Sequence, residues 1–293
     1  MLTGSIVALI TPMQQNGQID YVALKRLIDW HIVQGTDGIV LGGTTGESVV
    51  LEDEEYRAVI EFVVQHINGR IPVIVGAGGN STHATIRRVQ QAKEAGAQSV
   101  LSVVPYYNKP NQEGIYQHFA CIADAVKIPL ILYNVPSRTA SDIQNETVLR
   151  LAQIPNIVGL KDATANLARA CELMALVPKD FALYSGDDAT AMAFILCGGH
   201  GAVSVCANIV PHAFRKMCHA ALSGEINLAR QQDSDLRVLY EQLFMETNPS
   251  PVKWALHEMG FIENVMRLPL IPISPHLVAK LTYTLRRMNL IKL

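Results

Sequence analysis

The sequence predicts an α/β fold, a (β/α)8 TIM barrel with a C-terminal helical extension. Three observations carry that expectation. Eight short apolar runs recur along the chain, helical patterns separate them, and the strand pattern stops after Gly224. The runs are apolar through most of their length instead of alternating, as strands buried on both faces of a parallel sheet are. Eight β-then-α units in about 220 residues match a closed barrel, typically about 250 residues, better than an open doubly wound sheet.

The runs are Ser5–Met13, Asp37–Gly43, Pro72–Gly78, Ser99–Tyr107, Pro129–Pro136, Ile157–Thr164, Phe181–Asp188 and Gly201–Asn208. Between the first two, Asp20 is placed to cap a helix whose buried face holds Leu24, Leu27, Ile28 and Ile32. After Glu52, the positions Tyr56, Val59, Ile60, Val63, Val64 and Ile67 form one stripe at helical spacing, stopped by Gly69 and Pro72. Ile115, Phe119, Ile122 and Val126 repeat the pattern before the fifth run.

Residues 225–293 read as helix broken at Pro249, Pro251, Pro269, Pro272 and Pro275. The expected division is therefore a catalytic barrel at 1–224 and a helical region at 225–293, with no independent site in the latter.

With 293 residues the chain can bury about three quarters of its unfolded surface, enough for a large core without staples. Lys and Arg total 24 against 26 Asp and Glu, a net charge of −2 with no basic block, so a nucleic-acid partner is not expected. Charged residues are only 17% of the chain, which suggests further surface hidden in an oligomer. The opening MLTGSIVALITPM lacks the cationic lead of a signal peptide, and no stretch reaches the roughly 18 apolar residues of a membrane span. A cytoplasmic protein without a membrane partner is the expectation. Five cysteines, at 121, 171, 197, 206 and 218, form no CxxC pair. Cys197, His200 and Cys206 lack a convincing fourth ligand, so the cysteines are expected in the core and no metal site is assigned.

Active sites of such barrels gather at the carboxyl ends of the strands. There the chain offers GGTTGES at 42–48, Tyr106–Tyr107, Tyr133 with Arg138 just beyond, and Lys161. Lys161 interrupts a run otherwise suited to complete burial, where lysine is rare without a partner or a purpose. Gly159, on the same strand face, leaves room for a long side chain and a small substrate. Desolvation there favours the free amine, the form that attacks a ketone. The alternative is an ion pair with Asp162, which the alternation of side chains along a strand disfavours. Tyr133 is either packing or a proton shuttle, with Thr44 and Tyr107 able to complete a hydroxyl chain. GGTTGES is a structural turn, a phosphate cradle or a carboxylate cradle, and it matches neither GxGxxG nor a P-loop. Arg138 is a solvated charge or a carboxylate clamp.

Taken together, GGTTGES (42–48), PYYNKP (105–110), YNVPSRT (133–139), GLKDAT (159–164) and SGDD (185–188) resemble the dihydrodipicolinate synthase family of lysine-dependent pyruvate aldolases, over essentially the whole chain. The resemblance implies condensation of pyruvate with L-aspartate 4-semialdehyde, on the way to diaminopimelate and lysine. It makes Lys161 the Schiff-base lysine and Tyr133 the proton donor and acceptor. Thr44 and Tyr107 complete the relay, the latter serving the neighbouring subunit's site. Thr45 contacts the pyruvate carboxylate, Val203 borders bound pyruvate, and Arg138 receives the semialdehyde's carboxylate. No metal, nicotinamide or pyridoxal cofactor is implied, because the lysine supplies the electron sink.

The rivals are another pyruvate lyase on the same scaffold, such as N-acetylneuraminate lyase or a keto-deoxy sugar acid aldolase, and a non-catalytic barrel kept as a binding module. Arg138 favours a short, carboxylate-bearing second substrate over a polyhydroxy chain. The resemblance also implies a homotetramer built as a dimer of dimers. It points to Asn80 and Tyr106 as an inhibitory lysine site that further expects a histidine near 56 and a glutamate at 84, where this chain has Tyr56 and Ala84. Weak or absent inhibition by lysine is expected.

Overall fold

The computed structural model describes residues 1–292. Its eight strands are β1 (Gly4–Ala8), β2 (Gly38–Leu41), β3 (Val73–Gly76), β4 (Ser99–Val103), β5 (Leu130–Asn134), β6 (Ile157–Asp162), β7 (Ala182–Ser185) and β8 (Gly201–Ser204). They are parallel, neighbours in sequence order, and closed into a barrel where β8 pairs with β1. Each apolar run of the sequence holds one strand, β1 beginning one residue earlier at Gly4, but the runs continue beyond the strands' carboxyl ends. The first shows why: Leu9, Ile10 and Met13 lie past β1 in the loop and are completely buried there. Burial, not hydrogen-bonded pairing, sets the length of an apolar run.

The helices are α1 (Tyr21–Val33), α2 (Asp53–Ile67), α3 (Thr82–Glu94), α4 (Gln112–Ala125), α5 (Pro136–Thr139), α6 (Asn145–Leu151), α7 (Leu167–Leu176), α8 (Ala191–Leu196) and α9 (Pro211–Leu222), followed by α10 (Ile226–Leu243), α11 (Ser250–Glu258) and α12 (Pro275–Arg287). Asp20 caps α1 by accepting from the amides of Val22 and Ala23. A capping box between Glu52 and Glu55 starts α2, and Asn68 in the left-handed region ends it one residue before Gly69. The stripes are buried except at their margins, where Ile32 and Val64 are half-buried.

Two layers of core result. Outward-facing strand residues and the helices share one large cluster, and leucines of the last three helices, among them Leu239, Leu256 and Leu281, belong to it. Inside the barrel, Ile6, Ala8, Val40, Ile74, Leu101, Ile131, Tyr133, Val135, Ala182, Tyr184 and Val203 form a second cluster. Gly159 answers a different need from the one its sequence position suggests. A Cβ there would lie 2.6 Å from the Ala182 carbonyl oxygen, so the close approach of β6 to β7 demands glycine. Among the described residues no helix is long and apolar enough to cross a membrane.

Candidate active site

A cavity of about 500 Å³ opens at the carboxyl ends of the strands, with Lys161, Tyr133, Thr44, Thr45 and Arg138 in its lining. The carboxyl-end position is the one barrel geometry favours, because eight loops converge there.

Lys161 stands on β6 between Tyr133 of β5 and Tyr184 of β7 in the strand register. It is 7% exposed, and its Nζ lies 4.2 Å from the centroid of the Tyr133 ring. Gly186, at the end of β7, clears the side chain's path, since a Cβ at that position would meet Lys161 Cε at 2.8 Å. This is the role the sequence suggested for Gly159. Among the described residues no carboxylate comes within ion-pairing distance of the ammonium. Asp162 is occupied elsewhere, its Oδ1 accepting from the Thr164 amide at 2.9 Å, and burial raises its carboxyl above the usual range.

The GGTTGES segment is a tight turn. The amides of Gly46 and Ser48 donate to the Gly43 carbonyl and that of Glu47 to the Thr44 carbonyl, so these three are consumed within the loop and do not cradle an anion. Thr11 Oγ1 donates to Gly46 O at 2.7 Å and holds the turn over β1. Glu47 takes a left-handed backbone, φ 55°, and its side chain turns inward to meet Lys253 of α11 at 2.5 Å, both fully buried. Its other oxygen accepts from the Arg267 amide at 3.1 Å. Burial lowers the Lys253 ammonium below its ordinary value, while the Glu47 carboxylate opposes that shift.

Arg138 lies on the short α5, directly after β5. Its loop is braced from below: Asn134 Nδ2 donates to Asp142 Oδ1 at 2.8 Å, and Arg169 Nη1 donates to the same oxygen at 2.7 Å. The SGDD segment borders the same cavity through Gly186 and Asp187. Asp187 Oδ2 accepts from Thr190 N and Oγ1 at 3.0 and 2.7 Å, and the fully buried Asp188 accepts from the amides of Val205 and Cys206 at 3.2 and 2.8 Å. The segment thus locks the ends of β7 and β8 together. Burial pushes the Asp188 carboxyl up to about 6, against the pull of Ser204 and the Cys206 amide.

Two expected site residues stand apart from the cavity wall. Val203 lies in the interior cluster with Tyr133, and Val205 lines the cavity in its stead. Tyr107 is 88% exposed on a left-handed backbone, φ 73°, away from the lining. His200, weighed with Cys197 and Cys206 as a ligand, accepts from the Leu183 amide through Nδ1 at 3.0 Å.

Sequence reasoning missed the contribution of the C-terminal region. Phe244, Met245, Glu246, Thr247 and Asn248 complete the cavity wall. The Pro-rich stretch that contains Asn248 reads as a helix break, and a contact spanning some 200 positions leaves no periodic trace. A lysine inside the apolar PVKWAL segment, Lys253, was the available signal.

The family resemblance and the fold agree with comparisons to known proteins. Residues 1–288 match the model of the dihydrodipicolinate synthetase family. The chain is 56% identical to a 4-hydroxy-tetrahydrodipicolinate synthase of Laribacter hongkongensis over 99% of its own length and 100% of the relative's. It superposes with a TM-score of 0.98 on a chloride-inhibited dihydrodipicolinate synthase from Acinetobacter baumannii complexed with pyruvate, at 47% identity and covering 99% and 100% of the two chains. A monomeric dihydrodipicolinate synthase variant gives a TM-score of 0.97 at 38% identity, over 99% and 98% of the two chains.

Proposed function

The chain belongs to the dihydrodipicolinate synthetase family, and on that premise we propose that it condenses pyruvate with L-aspartate 4-semialdehyde through a Schiff base on Lys161, giving 4-hydroxy-tetrahydrodipicolinate for diaminopimelate and lysine synthesis. One observation carries the assignment of the nucleophile: a buried lysine in the cavity lining, over the Tyr133 ring, with no carboxylate among the described residues within ion-pairing distance. Such a side chain has little structural reason to be there.

In this reading the Lys161 amine adds to the pyruvate ketone and water leaves. The protonated imine draws electrons from the methyl carbon, whose proton passes to the relay of Tyr133, Thr44 and the partner subunit's Tyr107. The resulting enamine carbon attacks the aldehyde of the second substrate. That substrate's amine then closes the ring and displaces Lys161, which returns as the free amine. Thr45 holds the pyruvate carboxylate, Val203 packs below it, and Arg138 receives the carboxylate of the semialdehyde. Residues 1–224 supply the catalytic barrel and residues 225–293 the helical region that closes one side of the cavity.

The same reading makes the enzyme a cytoplasmic homotetramer composed of two tight dimers. Its support is Tyr107, whose exposure and left-handed backbone in the single chain suit a side chain that projects into a partner. An isolated folded monomer is then inactive, and a fully active monomer, identified by sedimentation, removes the shared relay.

The deciding experiment combines borohydride trapping with a coupled condensation assay. Wild-type protein gains the reduced pyruvate adduct at Lys161, and Lys161→Ala gains none. Arg138→Ala keeps the adduct but condenses poorly. A folded wild-type protein that forms no adduct overturns the proposal.

A further inference from the structure

Asn248, in the turn that leads into α11, touches both walls of the cavity. Its Nδ2 donates to Thr45 Oγ1 at 3.1 Å, and its backbone carbonyl accepts from Arg138 Nη2 at 3.4 Å. The residue is 5% exposed, and its amide oxygen is buried with no hydrogen-bond partner among the described residues. An unpaired buried acceptor costs free energy. At that cost, the amide donates to Thr45 with its nitrogen and leaves its oxygen without a partner among the described residues.

A hydroxyl has one proton to give. With Nδ2 occupying an acceptor position of Thr45, that proton is left for another acceptor, and no protein group among the described residues takes it. The cavity, which Thr45 lines, is where an acceptor can enter. A carboxylate there receives a hydroxyl already polarised by the amide, since hydrogen bonds in a chain strengthen one another.

We propose that Asn248 is a positioning residue that couples the two substrate subsites, an inference that rests on the roles given above to Thr45 and Arg138. Its amide fixes the Thr45 hydroxyl as a donor toward the pyruvate carboxylate, and its main-chain carbonyl steadies Arg138 for the second substrate. Because only the first of these contacts uses the side chain, substitution at 248 acts chiefly on pyruvate.

The test uses the full-length protein and two readouts: the pyruvate concentration giving half-maximal borohydride-trapped adduct, and KM for the semialdehyde. Asn248→Ala raises the first about tenfold and leaves the second within about twofold, as the main-chain carbonyl is retained. Asn248→Asp, which can only accept, captures the Thr45 proton and weakens pyruvate at least as much. In a Thr45→Val background the alanine change adds nothing further, since the contact is already gone. Three results overturn the proposal: unchanged pyruvate dependence in Asn248→Ala, wild-type behaviour of Asn248→Asp, or full additivity with Thr45→Val. If the alanine variant does not fold, the volume-conserving aspartate variant carries the test. Absence of adduct in the wild type points instead to failure of the Schiff-base reading, whereas a wild-type adduct with unaltered Asn248→Ala removes only Asn248.

Discussion

Glu47 and Lys253 form an ion pair at 2.5 Å in which neither side chain is exposed. One partner sits in the turn that carries Thr44 and Thr45, the other in α11, 206 positions later. A buried pair of this kind contributes little net stability compared with apolar packing, but losing one partner strands the other's charge. Lys253→Met is expected to destabilise the protein by about 3–5 kcal/mol, measured by urea unfolding. The double variant Glu47→Gln/Lys253→Met should recover part of that loss. Equal destabilisation of the single and double variants would show that the charges are not coupled.

Gly186 controls where the Lys161 amine stands. A methyl group at 186 would lie 2.8 Å from Lys161 Cε and 2.9 Å from Ala163 Cβ, and the end of a flexible lysine moves more readily than a strand. Ala163 Cβ is fixed to its backbone, so Gly186→Ala should lose some stability yet stay folded, while the displaced amine forms the pyruvate adduct about a hundredfold more slowly. Rapid-quench borohydride trapping checks the rate, and an unchanged rate refutes the steric argument.

Asp188 links stability to pH. Burial raises its folded-state value to about 6 from 3.8, so the folded protein binds this proton more tightly than the unfolded chain. The resulting stability is complete below the unfolded value and is lost as pH rises through about 6. Asp188→Asn cannot ionise and still accepts from the Cys206 amide. Between about pH 4 and pH 7 it should gain about 2–3 kcal/mol on the wild type. Denaturant titrations of both proteins at each pH test this, and parallel stability curves would contradict it.

Free lysine is expected to leave the activity unchanged. Tyr56 is committed to the fold, its hydroxyl donating to the Gly76 carbonyl at 3.0 Å and its ring covered by the Arg88 guanidinium at 4.2 Å. Position 84, in the first turn of α3, has only an alanine methyl where a carboxylate would be needed to hold an ammonium. Inhibition by millimolar lysine in the coupled assay would show that another group takes that part.

How much was legible follows from what makes a pattern local. The strands could be read because burial on both faces writes a continuous apolar run into each one, and helices α1, α2 and α4 because one buried face recurs every three to four residues. Lys161 was legible as a violation of such a run. Strand ends were not, since Leu9, Ile10 and Met13 stay apolar in a buried loop.

The sequence by itself determined the barrel, the family and the shortlist from Thr44 to Arg138 and Lys161. Only the tertiary structure decided that Gly186, not Gly159, makes way for the lysine, and that Asn248 and Lys253 of the C-terminal region brace the turn beside the cavity. The physical reason is the range of the forces recorded. Periodic burial is repeated along neighbouring residues, whereas a single amide or ammonium meeting its partner some 200 positions away depends on how the chain closes on itself and repeats nowhere.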